Sequence, residues 1–171
     1  MAARPSQIQR EIKRRRAFRS RRQAGLLALL RTADVLRRRV APILEPHGVT
    51  LQQYNVLRIL RGAGPEGLPT LEIAERMIEH APGVTRLLDR LERKKLVRRR
   101  RCARDRRQVL CMIREEGLAL LSRLDTPMAE ADENWAVALR ARDVSELIRI
   151  LDAVREPGSA PAADTGRLVE G

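Results

Sequence analysis

Apolar residues recur at helical spacing along most of the chain. Leu26, Leu30, Ala33, Val40 and Leu44 predict a long helix over 24–45, ended by Pro46 and Gly48. Thr50 is placed to cap a helix that begins "LQQYNVLRIL", and "GAGPEG" (62–67) reads as a loop. Thr70 is expected to cap a short helix, 71–79, burying Ile73, Ala74, Met77 and Ile78. After "HAP", Pro82 suits a first helical position. In the helix expected over 83–94, Val84, Leu87, Leu88 and Leu91 form one stripe, with Thr85, Arg86, Asp89, Arg90 and Arg93 on the other face.

The pattern then changes. Leu96 and Val97 open a strand that runs into an arginine cluster, and "QVLCMI" (108–113) reads as its return, which predicts a basic-tipped hairpin. From 115 to about 141, Leu118, Leu121, Leu124, Met128, Ala131, Trp135 and Ala138 predict a helix with a coiled-coil-like seam, kinked or restarted at Pro127. A last helix, 144–154, carries Val144, Leu147, Ile148, Leu151 and Val154 on one side, and the Pro/Gly/Ala-rich stretch 157–171 is expected to be disordered. Three helices followed by a basic two-stranded hairpin make a winged helix-turn-helix, so the fold class is mainly α with a small β-wing.

Composition supports that reading. Phe18, Tyr54 and Trp135 are the only aromatics, so the core must be aliphatic. Charge is uneven: the chain carries +13 overall, with nine Lys/Arg against one Glu in 1–22 and twelve Lys/Arg against three acids in 86–107. Two basic patches on an otherwise mildly acidic chain point to an anionic polymer. In the hairpin, Asp105 stands alone among Arg104, Arg106 and Arg107, where it can hold a guanidinium in one bidentate pose. The second helix of the helix-turn-helix fits the ~12 Å major groove, and the basic tip suits the minor groove or nearby phosphates.

The stretches "GVTLQQYNVLRIL", "TLEIAERM…GVTRLLDRLERKKLVRR" and "RDRRQVLCMIREEGLALL" resemble the MarR family of bacterial transcriptional regulators over roughly 24–155. The resemblance implies a homodimer on a near-palindromic operator, with 83–94 as recognition helix, Arg107 as minor-groove probe and Asp105 orienting the wing arginines. It also implies repression relieved by a small phenolic or anionic effector, bound between the dimer helices and the winged helix. The DNA-binding set is then Pro82, Gly83, Thr85, Arg86, Arg90, Arg104, Asp105, Arg106 and Arg107. The corresponding organisation is a basic arm (1–23), dimerisation helices (24–49 and 115–156), a DNA-binding region (50–114) and the tail.

Three positions depart from the family pattern. Lys95 stands where glycine is usual, Arg114 where a capping threonine is usual, and Gly83 where a polar residue often faces DNA. Gly83 either lets the backbone approach a phosphate or weakens base reading.

Other features leave alternatives open. The arm could pack on a partner subunit through Ile8, Ile12 and Phe18, touch DNA, or remain a solvated tail. Cys102 and Cys111 flank the wing tip, where arginines would lower a thiol pKa, so they form either a redox pair or two reduced thiols. His47 and His80 lack neighbouring ligands at metal spacing, and no catalytic motif or cofactor fingerprint is present, so neither metal, cofactor nor enzyme activity is expected. The longest apolar run, "AGLLALL", is too short to span a bilayer, and a cytoplasmic protein is expected. The competing function is a general nucleic-acid binder, nucleoid-associated or RNA-binding. The lack of aromatics between 55 and 134 counts against base stacking on RNA.

Overall fold

The computed structural model describes residues 6–79, 83–101 and 108–156. Its elements are α1 (Gln7–Glu11), α2 (Arg21–Leu44), a 3-10 turn (Glu45–His47), α3 (Leu51–Ala63), β1 (Leu68–Pro69), α4 (Thr70–Arg76), α5 (Val84–Arg93), β2 (Val97–Arg101), β3 (Val109–Ile113), α6 (Glu115–Asn134) and α7 (Ala141–Arg155). The chain divides into two units at Asp132/Glu133. The tail lies outside the described residues, as do Pro82, Cys102, Arg104, Asp105, Arg106 and Arg107.

The first unit holds the core, which is aliphatic as composition requires. Leu57, Leu60, Ile73, Leu88, Leu91, Val97, Leu121 and Leu124 are fully buried. Small polar residues start the helices. Ser20 accepts from the Gln23 amide, and Thr50 and Gln53 form a reciprocal capping box. Three strands order as β1-β3-β2, all antiparallel, with Arg99 facing Cys111 and Leu68 also facing Cys111 from the other side. The two-residue β1 was not foreseen, because a strand of that length shows no alternation. Its Pro69 is tolerated on an edge.

Several expectations need correction. Thr70 is the first residue of α4 and not its cap; Pro69 occupies the cap position with no side-chain bond. Met77 leaves the helix in an extended conformation, so Ile78 is 85% exposed while Ile73 and Met77 are buried. The inner face of α6 is Gly117, Leu120, Leu121, Leu124 and Met128, and Leu118 points outward. The helix passes Pro127 without restarting and stops at Asn134, so Trp135 and Ala138 lie beyond it. Gly117 is required by close approach: a Cβ there would collide with the Leu96 carbonyl and the Ile113 side chain.

The arm is folded from Ser6 onward. Ile8 is buried within its own chain, Glu11 pairs with Arg31 of α2 at 3.5 Å, and the Arg14 guanidinium covers the Phe18 ring at 5.1 Å. α2 has 24 residues but buries only Leu44 fully; Leu26 and Leu30 are more than half exposed. In the second unit, α7 also leaves apolar surface bare, with Ile148 55% and Val154 65% exposed.

Candidate nucleic-acid interface

The interface is built on α5. Its inner stripe, Val84, Leu87, Leu88 and Leu91, is buried as the spacing predicts. The helix period therefore turns Thr85, Arg86, Arg90 and Arg93 to solvent. Gly83 caps the N-terminus with φ 105°, a conformation that L side chains rarely adopt, and offers no side-chain bond. Glycine is thus demanded there by the backbone. No side chain among the described residues caps the exposed first turn, whose amides and helix dipole favour an anion.

The C-terminus of α5 is closed by backbone bonds. The Lys95 amide donates to the Glu92 carbonyl (2.9 Å) and the Leu96 amide to the Leu91 carbonyl (3.0 Å). That closure places Lys95 at φ 60°, the glycine-favoured region. The lysine is therefore a strained substitute, as the departure from the family pattern suggested.

Side chains then fix α5 against its neighbours. Lys94 Nζ donates to the Gly48 carbonyl. Upstream, Asn55 Oδ1 of α3 accepts from the Ile78 amide at 3.1 Å, while Glu79 binds Arg37 (2.7 Å) and Gln52 (3.2 Å). These contacts hold the approach to the interhelical turn on α2 and α3.

The wing is clamped to the same helix. Arg99 of β2 donates through Nε to Glu92 Oε2 (2.8 Å), through its backbone amide to Glu92 Oε1 (3.1 Å), and through Nη2 to Asp89. Glu92, then Asp89, hold the guanidinium firmly protonated against the opposing effect of burial. Composition could not reveal this clamp: Arg99 is one of four consecutive arginines, and only strand alternation turns it toward α5. The clamp occupies both acids of the helix. Arg86, Arg90 and Arg93 form no ion pair among the described residues.

Cys111 differs from expectation. It is fully buried and faces Arg99 across the ladder, three positions before Cys102. Burial pushes its thiol pKa up, and a Thr70 hydrogen bond and the Arg99 charge only partly oppose that. The arginines therefore do not activate this thiol. Of the expected DNA-binding set, the structure places Gly83, Thr85, Arg86 and Arg90 together on one exposed face. No helix among the described residues is long and apolar enough to cross a membrane, and no group of acids, histidines and cysteines among them could hold a metal.

A family model described as the MarR family matches residues 47–108. The chain is 28% identical over 138 residues to the homoprotocatechuate degradative operon repressor of Escherichia coli, covering 81% of this chain and 92% of that protein. It is 30% identical over 112 residues to the HTH-type transcriptional regulator YwoH of Bacillus subtilis, covering 66% of this chain and 80% of that one. Among solved structures, a MarR transcription factor from Planctomyces limnophilus is 39% identical with a TM-score of 0.61, covering 80% of this chain and 99% of that one. The winged-helix geometry and these likenesses agree: the chain belongs to the MarR family and is a DNA-binding transcriptional regulator.

Proposed function

We propose that the protein is a dimeric repressor that reads a near-palindromic operator with α5 and steadies it with the wing. The observation carrying this reading is the exposed row Thr85, Arg86 and Arg90 on a helix clamped through Arg99 to β2. Arg86 and Arg90 enter the major groove, and the first-turn amides of α5 after Gly83 receive a phosphate. Arg104, Arg106 and Arg107, with Asp105 orienting them, belong to the minor-groove contact; Pro82 precedes the Gly83 cap of the reading helix and is not at its first position. The bare apolar surfaces of α2 and α7 support a partner subunit, since exposed leucines and isoleucines at helical spacing seek cover. Such a regulator works in the cytoplasm, where the operator is.

Selection of bound duplexes from random DNA, followed by footprinting, tests the reading. A protected site with twofold symmetry is expected; a footprint without it would overturn the dimeric operator. A general nucleic-acid binder would show no preferred site.

A cleft of about 510 Å³ lies between the end of α2, the start of α3 and the end of α5. Glu45, Thr50, Gln53, Arg90, Arg93 and Lys94 line it. Its cations suit a carboxylate, and a phenolic acid there would pull Arg90 away from DNA. The E. coli relative's name also points to a phenolic acid, homoprotocatechuate. Release of a bound operator duplex by phenolic carboxylates, lost in Arg93→Ala, tests this; release by neutral phenols alone would contradict it.

A further inference from the structure

The arm before α2 carries charge that the winged helix does not explain. Lys13, Arg15, Arg16 and Arg19 of the arm, with Arg21 and Arg22 in the first turn of α2, are exposed and make no ion pair among the described residues. The contrast with α7 is sharp. Arg140, Arg142, Arg149 and Arg155 there each bind a nearby Asp or Glu. The arm is also built rather than loose. The Gln9 amide group donates to the carbonyls of Arg14 and Arg16 (both 3.4 Å), Arg14 Nε donates to the Arg16 carbonyl (3.0 Å), and the Arg19 amide donates to Gln23 (3.0 Å). Lys13 turns the chain at φ 51°. The one acid of the segment, Glu11, faces Arg31.

We propose that this folded arm is a second, sequence-independent contact for the phosphate backbone of duplex DNA. The proposal rests on the DNA-binding reading above and extends it to a site the wing and α5 do not form. Four cations on a hydrogen-bonded loop and two on the first turn of α2, all without an ion pair among the described residues, match a polyanion, and burying them against another protein surface would cost their hydration. A lipid surface fits less well. Ile8 is buried, Phe18 lies beneath Arg14, and only Ile12, 41% exposed, remains for insertion. At 1.5 Å per residue, the arm lies along α2 from Arg31, which meets Glu11 about 20 Å before Leu44, to Arg21, about 35 Å before it, while Lys94 of α5 binds Gly48 beyond that end. The phosphates it meets therefore belong either to DNA flanking the operator or to a second duplex.

The test compares the full chain with a variant carrying K13Q, R15Q, R16Q, R19Q, R21Q and R22Q, and with a deletion of residues 1–19. Affinity is measured against salt concentration on the selected operator, with and without random-sequence flanks. Capture of a second, labelled duplex by operator-bound protein is measured in parallel. Each lost phosphate contact lowers the log–log salt slope by about 0.9, so a fall of ~2–5 is expected in the glutamine variant on flanked DNA, or loss of second-duplex capture. The first outcome assigns flanking DNA and the second assigns another duplex. Unchanged slopes together with unchanged capture overturn the proposal, as does charge-dependent binding only to anionic vesicles. Arg86→Ala reads the α5 contact separately, so failure of operator reading and failure of the arm are distinguishable.

Discussion

Lys95 occupies a backbone conformation that glycine adopts freely, and its side chain is exposed. Lys95→Gly should therefore stabilise the fold, by roughly 0.5–1 kcal/mol, through relief of the left-handed penalty. A rise in the urea midpoint at unchanged slope would show this; a fall would mean that the lysine side chain makes a contact worth more than the strain. Cys111 gives a second residue-scale expectation. Buried and held protonated, it should resist alkylation at neutral pH in the native protein and react on unfolding. Peptide mapping after labelling checks this, and rapid native labelling of Cys111 would revive the redox pair. At this scale the sequence was legible wherever a residue's role follows from backbone type. The lysine at a glycine position was visible beforehand. The chemistry of Cys111 was not, because nearby arginines in sequence say nothing about depth in the fold.

At the scale of elements, the stripe of α5 followed from the 3.6 period, and the wing strands followed from the apolar runs on either side of the arginine cluster. Exact edges and pairings did not. Ile78 fits a helical pattern, yet the chain straightens at Met77 and exposes it. The Arg99 clamp needed strand register, which a uniform arginine run conceals. Arg99→Met would leave Asp89 and Glu92 unpaired beside a polyanion. It should weaken operator binding by ~1–3 kcal/mol, and adding D89N and E92Q should recover much of that loss. An uncoupled double-mutant cycle would show that the clamp does not position the wing. A second tie joins α3 to α6: Arg61 binds Asp125 with two 2.9 Å bonds, and its guanidinium holds the Asp125 carboxyl below the usual carboxylate range. With the folded pKa below the unfolded one, the pair stabilises above the unfolded value and the benefit disappears as pH falls through the folded value. Asp125→Asn should thus reduce stability at neutral pH by no more than ~1 kcal/mol, as expected for an exposed pair, and the difference should vanish in strong acid. An equal deficit at all pH values in acid titrations of urea stability would place its origin elsewhere.

At the scale of the molecule, both units leave apolar helix surface uncovered. The first has a closed aliphatic core, while α7 in the second leaves Ile148 and Val154 bare, and α2 leaves Leu26 and Leu30 bare. A chain with these surfaces should associate, and Leu30→Glu or Ile148→Glu should shift sedimentation toward the monomer. Unchanged association in both variants would remove α2 and α7 from the interface. The sequence showed these helices and their apolar sides, but a spacing rule cannot distinguish a side buried in its own chain from one covered by a partner. The central claim is narrower: α5 reads base sequence. The direct measurement is the ratio of affinities for the selected operator and for random duplex at one salt concentration, in the wild type and in Arg86→Ala. A preference of about 10³ or more, reduced by the substitution, is the result expected. Equal affinity for both duplexes, or an even loss on both in the variant, would contradict it.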